Sequence, residues 1–202
     1  MQTFHPSTLP TLLSALRNGA VLAFPTETTY GLGCDPRNRA ALEKIYRIKD
    51  RPADKSLPLV ADSIEQVEKY FLLSDTAKNL AEKHWPGPLS ILLTPKAEFQ
   101  KDFESIMRDG FVAVRASSHP LVRELTQAYG FPLTATSANL SGQPACLAAT
   151  DVESIFENET PDRQPDLIVD GGELPPSEPS TLIKVGDDGG VTVLRQGAIK
   201  VS

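Results

Sequence analysis

A chain of 202 residues, 40% apolar and with a net charge of −6, fits one soluble domain, since a single core can serve roughly 200 residues before a chain splits. Its apolar stretches are strand-sized, short of the roughly 20 residues that cross a bilayer, and Met1-Gln2-Thr3-Phe4-His5-Pro6 has neither a basic leader nor an apolar h-region; no membrane association and a cytoplasmic setting are expected. The acidic balance argues against wholesale coating of nucleic acid, which rests on many phosphate contacts. Cys34 and Cys146 stand apart, without a CxxC, and His5, His84 and His119 are scattered, so neither a disulfide nor a metal site is expected.

Along the chain, helices and strands alternate. Leu9, Leu12, Leu13 and Leu16 recur at helical spacing and predict a helix over Ser7 to Arg17, closed by Gly19. Ala20 to Phe24 is continuously apolar, as a strand covered on both faces would be, and Pro25 to Gly33 reads as the hydroxyl-rich loop after it. Asn38 caps a helix whose Ala41, Ile45 and Ile48 face the core, with Arg47 and Lys49 in the last turn, where the helix dipole favours cations. Leu57 to Val60 is a short strand. Ser63-Ile64-Glu65-Gln66 has capping-box spacing before a helix reaching about Tyr70. Another helix fills roughly Asp75 to His84, until Trp85-Pro86-Gly87-Pro88 breaks it, Trp85 reading as a core anchor and Gly87 as a turn former.

Leu89 to Thr94 and Phe111 to Arg115 are strands, and Pro120 to Tyr129 is a helix ended by Gly130. Pro132 to Thr136 forms the strand that delivers Ser137, and Thr150-Asp151-Val152-Glu153 offers a second capping box. Leu167 to Val169, Thr181 to Val185 and Val191 to Leu194 complete the sheet, the last two joined as a hairpin through Gly186-Asp187-Asp188-Gly189-Gly190. The fold class is α/β: a single domain over residues 1–202, a twisted open mixed sheet flanked by helices.

Seven basic residues (Arg37, Arg39, Lys44, Arg47, Lys49, Arg51, Lys55) stand near four acidic ones (Asp35, Glu43, Asp50, Asp54), a local balance of +3. A basic stripe on an acidic protein points to a small anionic ligand or a narrow nucleic-acid contact. Neither G-x-x-x-x-G-K-[ST] nor G-x-G-x-x-G is present, so phosphate must be held another way. Pro52 disfavours helical geometry at Arg51, which lets Lys49 and Arg51 turn into one cleft. Ser137 and Asn139, i and i+2 in extended chain, share a face and offer a hydroxyl and an amide to phosphate oxygens. Singly, each pair reads as an ordinary helix end or turn; together with the Pro25 to Gly33 loop they form an active-site pattern.

Pro25-Thr26-Glu27-Thr28-x-Tyr30-Gly31-Leu32-Gly33, Lys49-x-Arg51-Pro52-x-Asp54-Lys55, Trp85-Pro86-Gly87-Pro88, Val112-Ala113-Val114-Arg115 and Thr136-Ser137-Ala138-Asn139-x-Ser141-Gly142 occur in that order. Together they resemble the Sua5/YrdC/YciO family, most closely its short bacterial YrdC-type (TsaC) members, over a YrdC-like core from about residue 7 to 197. The resemblance implies L-threonylcarbamoyladenylate synthesis from L-threonine, bicarbonate and ATP, with release of pyrophosphate, for t6A at position 37 of tRNA. It implies Mg²⁺ accompanying ATP, and a TsaD-type transferase complex as acceptor of the product. Lys49 and Arg51 then serve as the catalytic cations. Lys49, Arg51, Lys55, Ser137, Asn139 and Arg195 map to the ATP side, and Thr28, Arg115 and the backbone near Ala135 to the threonine side. Glu27 is left open between a base and a carboxylate that holds its loop.

Two positions depart from the longer family members: Val60 stands where they carry a histidine near threonine, and Lys55 where they often have asparagine. The long members' C-terminal extra domain is not expected here. The alternatives are a YciO-like paralogue of unassigned activity and an RNA-binding or ribosome-associated module, with RNA or tRNA contact left open. Intact Lys49-x-Arg51 and Ser137-x-Asn139 favour the synthase, and the lack of interleaved aromatics in the basic stripe weighs against the RNA module.

Overall fold

The computed structural model describes residues 2–4, 9–52 and 55–201. In chain order they form β1 (Gln2–Phe4), α1 (Leu9–Arg17), β2 (Leu22–Pro25), β3 (Tyr30–Gly33), α2 (Arg39–Ile48), β4 (Leu59–Ala61), α3 (Ile64–Tyr70) and β5 (Phe71–Leu72). Then follow α4 (Asp75–His84), β6 (Leu89–Pro95), α5 (Gln100–Phe103), β7 (Val112–Ala116), α6 (Pro120–Tyr129), β8 (Leu133–Thr134) and β9 (Thr136–Ser137). The remaining elements are α7 (Ala149–Phe156), β10 (Leu167–Val169), β11 (Thr181–Val185) and β12 (Val191–Arg195). The α/β class holds, but the expected single sheet is two. One has the order β1-β10-β2-β3-β9, the other β12-β11-β6-β7-β4-β8 with β5 paired to β6. Both mix parallel and antiparallel pairs.

The chain passes between the sheets within five residues. Pro132 to Thr136, expected as one strand, is split: Thr134 in β8 pairs with Leu59, while Ser137 in β9 pairs with Gly31 of the other sheet. Ala135 at the crossing donates its N–H to Pro58 O at 2.9 Å, so no backbone donor is lost there. Close approach makes the switch possible, since a Cβ on Gly33 would lie 2.1 Å from Thr134 O and 2.6 Å from the Phe24 ring. The expected Pro25 to Gly33 loop is likewise mostly strand. Tyr30–Gly33 pairs antiparallel with Leu22–Pro25, leaving only a turn at Thr26 to Thr29.

Helices α1 and α6 close the seam from outside. Leu12, Leu16, Val122 and Leu125 pack on Leu22 and Phe24 of one sheet and Val60 and Leu133 of the other, burying apolar surface from both in one cluster. The Leu pattern of α1 is borne out from Leu9 onward; Ser7 lies outside the described residues. Asn38 caps α2 through Ala41 N–H at 3.1 Å, as its sequence requires. Ser63 accepts from Gln66 N–H, but Gln66 reaches back to Asp62 N–H, one residue beyond a capping box. The second expected box is displaced too: Thr150 lies inside α7, and the Asp151 carboxylate takes the N–H groups of Leu147 and Ala148. Trp85 is a core anchor, its Nε1 donating to Leu89 O at 2.6 Å. Among the described residues, no helix is long and apolar enough to cross a membrane.

Candidate active site

Residues of both sheets line a cleft of about 440 Å³. The first sheet contributes Gly31, Thr136 and Ser137 and the turn at Thr26, Thr28 and Thr29. The second contributes Ser90, Ala113, Arg115, Leu182 and Arg195, and loops add Arg51, Ser56, Ala135, Ser177 and Ser180. Of the residues singled out from sequence, Thr28, Arg51, Arg115, Ala135, Ser137 and Arg195 therefore meet in one cavity.

At one end the β2–β3 turn is drawn tight by its own hydroxyls. Thr26 Oγ1 donates to Thr29 O at 2.7 Å and lies 3.1 Å from Thr28 Oγ1, while Ser177 Oγ donates to Thr28 O at 2.8 Å. This places Glu27 across the gap from β7, where its Oε1 accepts from Arg115 Nε at 2.6 Å. Both side chains are buried, 6% and 8% exposed. Ser117 Oγ donates to the second Glu27 oxygen. Burial pushes the Glu27 carboxyl up, but the Arg115 charge and these hydrogen bonds outweigh it and hold the group below its ordinary range. Of the two readings left open, that favours a carboxylate holding its loop over a base.

At the other end, α2 closes with a Schellman motif: Arg51 N–H bonds Tyr46 O and Asp50 N–H bonds Arg47 O, with Asp50 at φ 48°. The turn falls at Asp50, one residue before the position expected from Pro52, and it sends Lys49 and Arg51 different ways. Arg51 lines the cleft, its Nη2 donating to Ser56 O at 3.1 Å. Lys49, 1% exposed, lies beneath the floor and donates to Ser137 O, to Asn139 O at 2.8 Å and to Asn139 Oδ1 at 3.0 Å.

The expectation that both cations open into the cleft is therefore corrected: three acceptors hold the Lys49 ammonium against the 137–139 backbone. Burial, and then Arg51, lower the Lys49 pKa to about 8. Asn139 meets Ser137, whose Oγ donates to Asn139 Oδ1 at 2.5 Å, but only Ser137 lines the cavity. Asn139 is 7% exposed, with its oxygen on Lys49 and its amide nitrogen on Gln143 O. Lys55 is exposed and does not line the cavity; its carbonyl accepts from Tyr46 Oη.

Arg195, at the end of β12, is fixed by Nε and Nη2 on Ser180 O and by Nη2 on Ser180 Oγ at 2.9 Å. Burial and then the nearby Arg115 charge lower its pKa. Sequence reasoning missed Ser56, Ser90, Ser177 and Ser180, whose only signal is a serine beside a strand or in a Pro-rich loop. Val60 is fully buried against α1 and α6 rather than in the cleft wall.

The Sua5_yciO_yrdC family model, described as telomere recombination, matches this chain over residues 14–197, and the chain belongs to that family. Among curated relatives it is 38% identical over 202 residues to a threonylcarbamoyl-AMP synthase of Photobacterium profundum, covering 94% of this chain and 98% of the relative. It is 40% identical over 193 residues to one of Vibrio cholerae, covering 92% and 95%. Among solved structures, P. abyssi Sua5 complexed with L-threonine superposes with a TM-score of 0.83 at 30% identity, over 97% of this chain and 57% of that one. E. coli YciO gives 0.79 at 25%, over 97% and 94%.

Proposed function

We infer that this chain is a threonylcarbamoyl-AMP synthase serving t6A formation in tRNA, working in the cytoplasm on L-threonine, bicarbonate and ATP. The observation that carries the reading is the cleft, in which an arginine suited to a carboxylate faces a turn of threonines at one end while Arg51 lines it at the other, above the buried Lys49. The relatives' shared activity stands beside it. YciO is likewise similar in fold, yet its 25% identity falls well below the 38% of the synthase from Photobacterium.

Threonine sits with its carboxylate on Arg115 and its side chain near Thr28 and Ala135. Its amine and bicarbonate condense with loss of water to a carbamate, whose oxygen attacks the α-phosphorus as pyrophosphate leaves. Negative charge gathers on the phosphate oxygens in that step, so fixed cations lower its barrier most there. Arg51, Arg195 and the Ser137 hydroxyl face the nucleotide. Lys49 acts from below, its charge aimed through the Ser137 to Asn139 backbone that it and Asn139 hold in shape. Lys55, off the cleft wall, has no place in this assignment. Mg²⁺ would accompany ATP, since it commonly binds through substrate phosphates, and would supply neutralising charge there. The adenylate passes to a TsaD-type transferase complex.

The test is purified protein with threonine, bicarbonate, ATP and Mg²⁺, followed for pyrophosphate and for the adenylate by mass spectrometry. ATP binding without either product would rule the reading out. Salt-sensitive RNA binding in its place would favour the RNA-binding module.

A further inference from the structure

We infer that Glu27 is a positioning residue for threonine: it fixes the guanidinium of Arg115 from across the cleft, so that the fork's free edge is set for the substrate carboxylate. The inference rests on the synthase reading and names how that site recognises the amino acid.

Three observations carry it. First, the pair forms through Nε alone, at 2.6 Å, so the Nη1 and Nη2 edge, whose spacing matches the two oxygens of a carboxylate, is left for a ligand. Second, Glu27 is itself held. Its other oxygen takes the Ser117 hydroxyl, Ser117 Oγ in turn accepts His119 N–H at 3.2 Å, and Ser117 N–H is tied to Ala61 O at 3.0 Å. A chain of bonds therefore runs from the β4–β7 pair to the guanidinium. Third, Glu27 and Arg115 come from different sheets and are both buried, so the pair sets the width of the cleft at this point as well as the orientation of the arginine. A general base would need a free lone pair aimed into the cavity and a readily protonated carboxylate. Glu27 does not line the cavity, and its carboxyl is held below its ordinary range.

Charge and geometry predict opposite signs here, which makes the inference easy to test. By charge alone, removing an acid next to Arg115 strengthens its attraction for a carboxylate; by positioning, removal weakens threonine binding because the fork is no longer held. Steady-state KM for threonine and for ATP would be measured separately in the full chain, with folding checked by thermal melting. Glu27→Ala should raise KM for threonine tenfold or more and leave KM for ATP within twofold. Glu27→Gln keeps an oxygen acceptor for Nε and should restore threonine KM to within about threefold of wild type. Ser117→Ala, which loosens the carboxylate but spares the ion pair, should raise it about threefold.

An unchanged threonine KM in folded Glu27→Ala would overturn the inference, as would a joint rise of both KM values. So would a Glu27→Gln variant as poor as Glu27→Ala with the loss in kcat, which is the mark of a base. Should Glu27→Ala not fold, Ser117→Ala decides: a rise confined to threonine supports the inference and no rise overturns it. A wild-type protein that makes no adenylate would remove the synthase reading and this inference with it, whereas an active wild type with unmoved KM values removes the inference alone.

Discussion

At one end of the cleft the charge of Arg115 is balanced by a buried carboxylate, whereas at the other Lys49 gives its hydrogen bonds to carbonyl and amide oxygens. A balanced end suits a ligand that brings one carboxylate and one ammonium, since no net charge has to be neutralised there. The other end holds cations that repel each other, since Arg51 helps lower the Lys49 pKa. A polyphosphate supplies the negative charge that this end lacks and turns the repulsion into binding energy. The two substrates are thus told apart by how much of the local charge the protein has already cancelled.

The largest expected effect comes from removing the buried cation. Lys49→Met leaves three oxygens without their donor, each costing about 1–3 kcal/mol, with part returned because no charge need be desolvated. For a chain of this size the expected fall in Tm is on the order of 10 °C, with activity lost as the 137–139 loop relaxes. Arg51→Ala should behave differently, lowering kcat/KM by roughly a hundredfold or more while Tm stays within a few degrees, because Arg51 faces the cleft. Calorimetry and turnover on both variants decide it. Equal losses of Tm would mean that Lys49 and Arg51 do one job, and the contrast between them would be lost.

That contrast was only half legible in the sequence. The chemistry of the two pairs and the motif resemblance brought Lys49 together with Ser137 and Asn139, which it does contact. Which cation sinks and which opens is settled by the left-handed residue at Asp50, a choice that spacing does not encode and that Pro52 suggested one residue too late. The division into two sheets was hidden for a related reason. Leu133 to Ser137 reads as one strand, and only the close approach of Gly33 to Thr134 lets it change partners midway. Cap geometry failed too at Thr150, which lies inside α7 because the adjacent Asp151 takes the N–H groups of Leu147 and Ala148 and starts the helix earlier. The strands at Gln2–Phe4 and Phe71–Leu72 are short segments whose partners lie far along the chain, so no local pattern marks them.

A smaller and more selective effect is expected at the balanced end. Arg115→Lys keeps a cation beside Glu27 but loses the planar fork, so KM for threonine should rise about tenfold while ATP binding is almost unchanged. If Arg115 were merely half of a structural ion pair, lysine would serve and neither KM would move. Equal weakening of both substrates would assign Arg115 to the phosphate end and dissolve the division of the cleft.

The smallest expected effect, and the one that reads the unbalanced end most directly, is a pH dependence of ATP affinity. Lys49 has a pKa of about 8 in the ligand-free protein, below its ordinary value because of burial and then Arg51. Bound polyphosphate favours the charged form, so the pKa in the complex lies above that of the free protein. The sign follows: below about pH 8 the ammonium is charged in both states and affinity is flat, and as pH rises from about 8 toward the raised value, binding must take up a proton and weakens. Isothermal titration of ATP between pH 7 and 9.5 should show affinity falling severalfold over the upper half of that range, with net proton uptake on binding. Threonine affinity at the balanced end should not follow the same curve, because Lys49 lies under the other end of the cleft. A flat ATP profile, or proton release on binding, would mean that the charge of Lys49 is not felt by the nucleotide and serves only to hold the loop above it.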